Sequence, residues 1–320
     1  MTVPSFLPRA RLDRSGLRNE VLSGLRSSPK TLAPKFFYDA RGAALFEEIC
    51  TLPEYYLTRS ELSILEAHAA EMAVLAGPDC AMIEYGSGAG TKARLILDAL
   101  ENPRAYVPVD ISRAQLNEVS AELSEAYPHI VVQPVWADYT SRFQLPSLPD
   151  ETRRKLAFFP GSTIGNFHPQ EAAAFLSRVR HVLGSAGSMI LGVDRVKDAG
   201  ELNAAYNDSR GVTAEFNLNV LDRLNHDVGA DFDTSSFEHV AFFNSMAGRI
   251  EMHLRSRSDQ TVCVAAEAIH FSAGETIWTE SSYKYDRSGL DGLVGAGGFR
   301  IVNLWTDPAD KFWVAYLSVA

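Results

Sequence analysis

The sequence predicts an α/β protein with a parallel, doubly wound sheet and a second domain of helices and antiparallel strands. Three observations carry this. From about residue 60 to 195, apolar segments of helical and strand period alternate. One strand-to-helix joint in that stretch is glycine-rich (Gly86, Gly88, Gly90), and the next two strands run into acids, Asp110 and Asp138. Beyond residue 198 the period changes to helices followed by alternating, β-branched runs.

Along the chain, the first 60 residues read as mostly helical. They carry two aromatic clusters, Phe37-Tyr38-Asp39 and Leu52-Pro-Glu-Tyr55-Tyr56, separated by a helix. Adjacent tyrosines are commonly one core ring and one rim ring, a plain packing reading that stands here beside a functional one. Helix Ser60–Leu75 precedes strand Ala81–Tyr85 and the glycine turn. Helix Thr91–Leu100, strand Ala105–Asp110, helix Ser112–Ala126 and strand Ile130–Val135 follow. After a Pro/Ser-rich loop come strand Leu156–Pro160, helix Pro169–Leu183 and strand Ser188–Val193. Alternation of this kind places a ligand at the C-terminal ends of the strands.

Glu201–Asn207 and Gly211–Leu224 then read as helices, and Arg249–Arg255, Thr261–Ala268 and Glu275–Tyr285 as antiparallel strands. Helix Ser288–Gly297 with strands Arg300–Asp307 and Lys311–Val319 returns to the first pattern as an antiparallel end of the main sheet. The expected domains are 61–196 plus 287–320 for the sheet, and 1–60 plus 197–286 for the other.

With 320 residues, of which 46% are hydrophobic, the chain can bury a large core. No run approaches the ~20 apolar residues of a membrane span, and Met1–Arg14 lacks the apolar stretch of a leader, so a cytoplasmic protein is expected. Cys50, Cys80 and Cys263 are scattered, as reduced thiols are. The eight histidines form no cluster of ligand spacing, so no protein-held metal is expected. Net charge is −10 with acids and bases interspersed, which argues against a nucleic-acid partner. The expected partner is a small molecule, with no membrane association, and the chain is expected to act as a monomer.

A glycine turn also serves plain backbone purposes, so its context decides. The spacing Glu84-x-Gly86-x-Gly88-x-Gly90 differs from the Gly-x-Gly-x-x-Gly of dinucleotide enzymes. Asp110 ends the next strand, where such folds hold a ribose hydroxyl. The third strand leads into Trp136-Ala-Asp138-Tyr139, an acid and an aromatic suited to the amine and the face of an adenine. The ordered set favours S-adenosylmethionine. Gly161-Ser-Thr-Ile-Gly-Asn166 follows the fourth strand at the same end of the sheet. It reads either as an ordinary turn with a capping hydroxyl or as the place that brings Asn166 to the methyl donor.

These motifs, with Lys35-Phe-Phe-Tyr38-Asp, Tyr206-Asn-Asp, Phe216-Asn-x-Asn219, Arg249-Ile-Glu-Met252 and Thr279-Glu280-x-Ser282-x-Lys284, run through nearly the whole chain. Together they resemble the histidine-specific N-alpha-methyltransferases of ergothioneine biosynthesis. The resemblance implies a Rossmann-like methyltransferase core with a second α+β substrate-binding domain. It also implies three successive methylations of the histidine α-amine, giving hercynine. By the same resemblance Gly86, Lys92, Asp110, Asp138 and Tyr139 hold the donor. Tyr38, Gly161, Thr163, Asn166 and Tyr206 surround the amine and carboxylate, and Tyr55, Met252, Glu280 and Ser282 surround the imidazole. The family pattern has Phe where Tyr139 stands, a change that leaves stacking intact.

Three other readings remain at this point. An N-methyltransferase for another aromatic amino acid such as tryptophan should lack an acid at Glu280. A silent regulatory relative has no need of all these groups. A nicotinamide oxidoreductase conflicts with the glycine spacing.

Overall fold

The computed structural model describes residues 14–141 and 143–320. The reading of Met1–Arg14 as leader-free lies, but for Arg14, outside them, as does the opening of the 1–60 segment. Helix α1 (Arg14–Arg26) leads to the short strand β1 (Lys30–Thr31), a 3-10 turn at Pro34–Phe37, and helices α2 (Ala40–Thr51) and α3 (Tyr56–Ala76). Helix α3 buries Leu57, Glu61, Ile64, Leu65 and Met72, a stripe of helical period. Strand β2 (Cys80–Tyr85) is buried along its whole length.

Next come α4 (Thr91–Ala99), β3 (Ala105–Asp110), α5 (Arg113–Ala126), β4 (Val131–Val132), β5 (Val135–Trp136) and β6 (Arg154–Phe159). A 3-10 turn at Thr163–Asn166 precedes α6 (Pro169–Leu183), β7 (Ser188–Asp194), α7 (Ala199–Ala205) and α8 (Val212–Val228). Strands β8 (Phe237–Asn244), β9 (Arg249–Ser256), β10 (Gln260–Val264), β11 (Glu267–Phe271) and β12 (Thr276–Tyr283) follow, then α9 (Arg287–Ala296), β13 (Phe299–Thr306) and β14 (Phe312–Val319).

The main sheet has the order β13-β14-β7-β6-β2-β3-β4, with β5 also paired to β3. All its pairs are parallel except β14 with β7 and β13 with β14. Strand order reverses between β2 and β6, since the chain lays β3 and β4 on one side of β2 and β6 and β7 on the other, which opens a crevice at their C-terminal ends. This is the α/β core that the alternating periods predict, with the expected antiparallel end.

Three strand readings are corrected. Ile130–Val135 is two strands, because Pro134 offers no N–H to the ladder. Thr261–Ala268 is the middle of a hairpin that turns at Ala265 and Ala266, with φ of 51° and 67°. Such a turn normally announces itself with Asn or Gly, and here alternation runs straight through it. Strand β8 is not anticipated at all. Its residues are mostly half-buried, so no clean two-residue alternation marks it.

The chain forms two compact units, one from 47–208, 242–251 and 281–320, the other from residues up to 46, 209–241 and 252–280. These cuts differ from those expected at residues 60, 196 and 286. Helix α3 starts before residue 60 and packs on β7 and β14, so the segment from Glu47 travels with the main sheet. In the other unit, β1 pairs in parallel with β12 through Lys30↔Ile277 and Thr31↔Trp278. That pairing ties the N-terminal segment to the distant insert.

The core of the sheet unit is aromatic around the site. Tyr85, Phe159 and Phe175 are fully buried, with ring centroids 4.7 to 6.3 Å apart. Edge contacts of this kind add about 0.5–1.5 kcal/mol each to the area they bury.

Candidate active site

Register places three strand ends side by side. Tyr85 is opposite Val109, Val109 opposite Val135, and Asp110 opposite Trp136. The turn leaves β2 with Gly86 at φ 79° and its N–H donating to Val109 O at 2.8 Å. Gly90, at φ 71°, enters α4, and a Cβ there would lie 2.8 Å from Val119 Cγ1. Any larger residue at either position meets backbone strain, and at Gly90 a clash as well.

Glu84 is buried beneath the turn, and its carboxyl accepts from the Tyr106 hydroxyl. Burial pushes its pKa up to about 8, against the Tyr106 bond and Lys92. Asp110 accepts from Ser112 N at 2.8 Å. Burial raises its pKa despite the backbone N–H groups of Ser112, Gly88, Ser87 and Ile111. Asp138 accepts from Thr140 N at 2.9 Å, which fixes the end of β5. The Tyr139 ring lies edge-on to Tyr85, Phe159 and Phe175, at 6.3, 5.8 and 6.0 Å. A Cβ on Gly86 would be 3.7 Å from its Cε1. The aromatic thus sits against the glycine turn, with its outer edge in the core.

Lys92 is held by Glu61, Nζ to Oε2 at 2.6 Å, and the same carboxylate takes the N–H of Gly161 at 2.8 and 2.9 Å. Glu61 is almost wholly buried, and a side chain on Gly192 would run into it. One carboxylate therefore joins α3, α4 and the loop after β6. Sequence reasoning missed it, although a glutamate inside the apolar stripe of a helix was a visible signal.

The loop itself is shaped by local bonds. Thr163 Oγ1 donates to Pro160 O at 2.9 Å, and Ser162, at φ 57°, accepts from Asp194 N at 2.9 Å. Gly165 approaches β12 so closely that a Cβ would stand 2.7 Å from Tyr283 O. Asn166 is half-buried, and its side-chain amide bonds to no described residue.

Behind this loop lies a polar cluster. Asp194, fully buried at the end of β7, receives Tyr56 Oη at 2.8 Å, Lys197 Nζ at 2.5 Å and Lys284 Nζ at 2.9 Å. Lys284 also donates to Ser282 Oγ at 2.9 Å and Tyr206 Oη at 3.1 Å, and the Tyr206 hydroxyl donates to Ser282 at 2.8 Å. Burial opposes the charge on Lys284, but Asp194 and the hydroxyls outweigh it and raise its pKa. Burial outweighs Asp194 at Lys197, whose pKa falls to about 8.

Tyr55 meets the Tyr206 ring edge-on at 6.3 Å. Tyr55 and Tyr56 are both buried, so the packing reading of one core ring and one rim ring is corrected: Asp194 draws the second hydroxyl inward. Asp194 itself went unnoticed in the sequence, one residue past the expected end of its strand.

The remaining three residues belong to the other unit. Tyr38 packs edge-on to Phe46 and Phe216 at 5.8 and 6.0 Å. Met252 is buried, and its carbonyl accepts from Thr279 Oγ1 at 3.0 Å. Glu280 is half-buried on β12 at alternate position to Ser282, and its carbonyl takes Trp278 Nε1 at 2.8 Å.

A doubly wound sheet with a glycine turn, two strand-end acids and an amide-bearing loop at one end defines a Rossmann-like methyltransferase. The chain belongs to the family described as histidine-specific, S-adenosylmethionine-dependent methyltransferases, whose model matches residues 17–319. It is 44% identical over 301 residues to histidine N-alpha-methyltransferase of Mycolicibacterium smegmatis, covering 92% of each chain. It is 32% identical to ergothioneine biosynthesis protein 1 of Neurospora crassa, over 91% of this chain and 34% of that one. Among solved structures it is similar to the CcbJ methyltransferase of Streptomyces caelestis, with TM-score 0.47, 14% identity and coverage of 80% and 89%.

The methyl donor is S-adenosylmethionine, and the turn fits it. Ser87 Oγ is buried without a hydrogen-bond partner among the described residues, and a Cβ built on Gly88 meets nothing within 4 Å, so the turn has both polar capacity and room. The oxidoreductase reading is set aside.

Proposed function

We propose that this enzyme transfers three methyl groups in succession to the α-amine of L-histidine, giving hercynine, as the first step of ergothioneine biosynthesis. The observation that carries it is the placement of Gly161, Thr163 and Asn166 on a loop bonded to both Lys92's carboxylate partner and the Asp194 cluster, within a chain of the histidine-specific family. The acceptor is a small amino acid. No described helix is long and apolar enough to cross a membrane; we place the reaction in the cytoplasm, with the enzyme acting as a monomer.

When bound, S-adenosylmethionine supplies an electrophilic methyl on a positive sulfur. The protein's task is then to hold the amine in line with it. Gly86, Lys92, Asp110, Asp138 and Tyr139 hold the donor, with Asp110 on the ribose and Asp138 and Tyr139 on the adenine. Asn166 and Tyr206 bind the histidine carboxylate by neutral donors. Gly161, Thr163 and Tyr38 line the amine. The α-amine must lose a proton before each attack, and burial beside a positive sulfur favours its neutral form. Tyr55, Met252, Ser282 and Glu280 surround the imidazole, Glu280 accepting from the ring N–H.

Incubation with S-adenosylmethionine and a panel of free amino acids, read by mass spectrometry, should give histidine carrying three methyl groups on the α-nitrogen. Trimethylated tryptophan with untouched histidine overturns the assignment.

A second expected result separates acceptor from donor. Asn166→Ala should lower kcat/KM by more than roughly tenfold while S-adenosylhomocysteine binding stays nearly intact, since the amide serves only the acceptor. Loss of both together would mean that the loop merely supports the fold.

A further inference from the structure

Resting on the reading above, we propose that Lys284 is a positioning residue of the acceptor site: its ammonium orients the Ser282 and Tyr206 hydroxyls so that they donate to the amino-acid substrate. An ammonium has three donors and no acceptor. Those of Lys284 are all spent, on Asp194 Oδ2 at 2.9 Å, Ser282 Oγ at 2.9 Å and Tyr206 Oη at 3.1 Å.

The consequence for Ser282 follows from counting lone pairs. Its oxygen accepts from Lys284 and from the Tyr206 hydroxyl at 2.8 Å, so both lone pairs are occupied and the group can act outward only as a donor. A serine without this backing presents donor or acceptor at will. The Tyr206 hydroxyl has a lone pair engaged by the ammonium and its hydrogen on Ser282; when a carboxylate arrives that hydrogen can turn to it, while the ammonium still donates to Ser282 and keeps the serine hydrogen pointing outward.

A buried Lys284–Asp194 pair is weak as a device for stability alone, because desolvating two charges offsets most of their attraction. Its geometry is instead suited to alignment. Asp194 is anchored three further times, by Tyr56, by Lys197 and by its own N–H on Ser162 Oγ at 2.9 Å. That last bond fixes the cluster to the loop bearing Asn166. With Lys197 protonated, Asp194, Lys284 and Lys197 together carry one net positive charge behind neutral hydroxyls. This favours an acceptor substrate bearing a carboxylate, without placing a cation against it.

The test is a thermodynamic cycle in histidine kinetics. Lys284→Met should raise KM for histidine by roughly tenfold or more while S-adenosylhomocysteine affinity, measured by calorimetry, is unchanged. Because Lys284 acts through the two hydroxyls, adding Lys284→Met to Tyr206→Phe/Ser282→Ala should cost little further in kcat/KM. Preference for histidine over histidinamide, which lacks the carboxylate, should also shrink in Lys284→Met.

Additive losses, an unchanged KM or a parallel loss of S-adenosylhomocysteine binding would overturn the proposal. If Lys284→Met does not fold, the charge-balanced Lys284→Met/Asp194→Asn pair carries the same comparison with the same outcomes. A wild-type enzyme that binds S-adenosylhomocysteine but leaves histidine unmethylated would overturn the function assigned above, and this inference with it.

Discussion

Replacing Asp110 with alanine is expected to weaken donor binding by roughly ten- to a hundredfold, the loss that accompanies removal of a charged acceptor from a buried hydroxyl. The carboxylate ends β3, directly beside the glycine turn in register, and is aimed by Ser112 N at 2.8 Å. Alanine keeps the strand but removes both the proposed ribose acceptor and that anchor. Asp110→Asn keeps the shape and isolates the charge.

A pH dependence accompanies this. Burial raises the pKa of Asp110 above its ordinary value. The ionised acceptor is therefore present above that raised value and lost as pH falls through it, at a higher pH than for an exposed aspartate. Donor affinity of the wild type should decline on that limb, and Asp110→Asn should not follow it. Calorimetry that returns an unchanged S-adenosylhomocysteine affinity for Asp110→Ala removes the residue from the site.

The other large effect concerns ring selectivity. A site built to bond a polar ring rejects analogues that leave its polar group unpaired, and this discrimination exceeds what shape supplies. Glu280→Ala should cut histidine turnover and ease the penalty against apolar rings. Adding Met252→Val opens space, since Met252 is buried on the face it shares with Ile250 and Leu254. The ratio of kcat/KM for histidine to that for tryptophan should fall in the double variant by roughly a hundredfold or more. A folded double variant with an unaltered ratio would falsify the pairing of Glu280 with the imidazole while leaving the methyltransferase assignment standing. Circular dichroism and a melting curve supply the folding control.

The elements proposed to form the donor end of the site were legible because each part is local. A glycine turn, an acid one strand later and an acid-aromatic pair after the next strand are fixed by spacing alone, and parallel strands bring their C-termini together whatever the details. The loop from Gly161 to Asn166 was legible for the same reason. The hairpin at Ala265-Ala266 was not, since its positive φ values are held by the ladder on either side rather than by turn residues. The split at Pro134 carried a clear mark, and the proline outweighed the β-branched run around it.

What the sequence by itself determined is the alternation that builds the sheet, the order of its ligand-facing turns and the family motifs. These depend on periodicity and on backbone conformation, both written in neighbouring residues. Only the tertiary structure decided which charges are buried together. Glu61 reaches Lys92 and Gly161 across 31 and 100 residues, and Lys284 meets Asp194 across 90. No local rule pairs such groups. A buried charge finds its partner wherever the packed elements leave it without water, and that place exists only once the chain has folded.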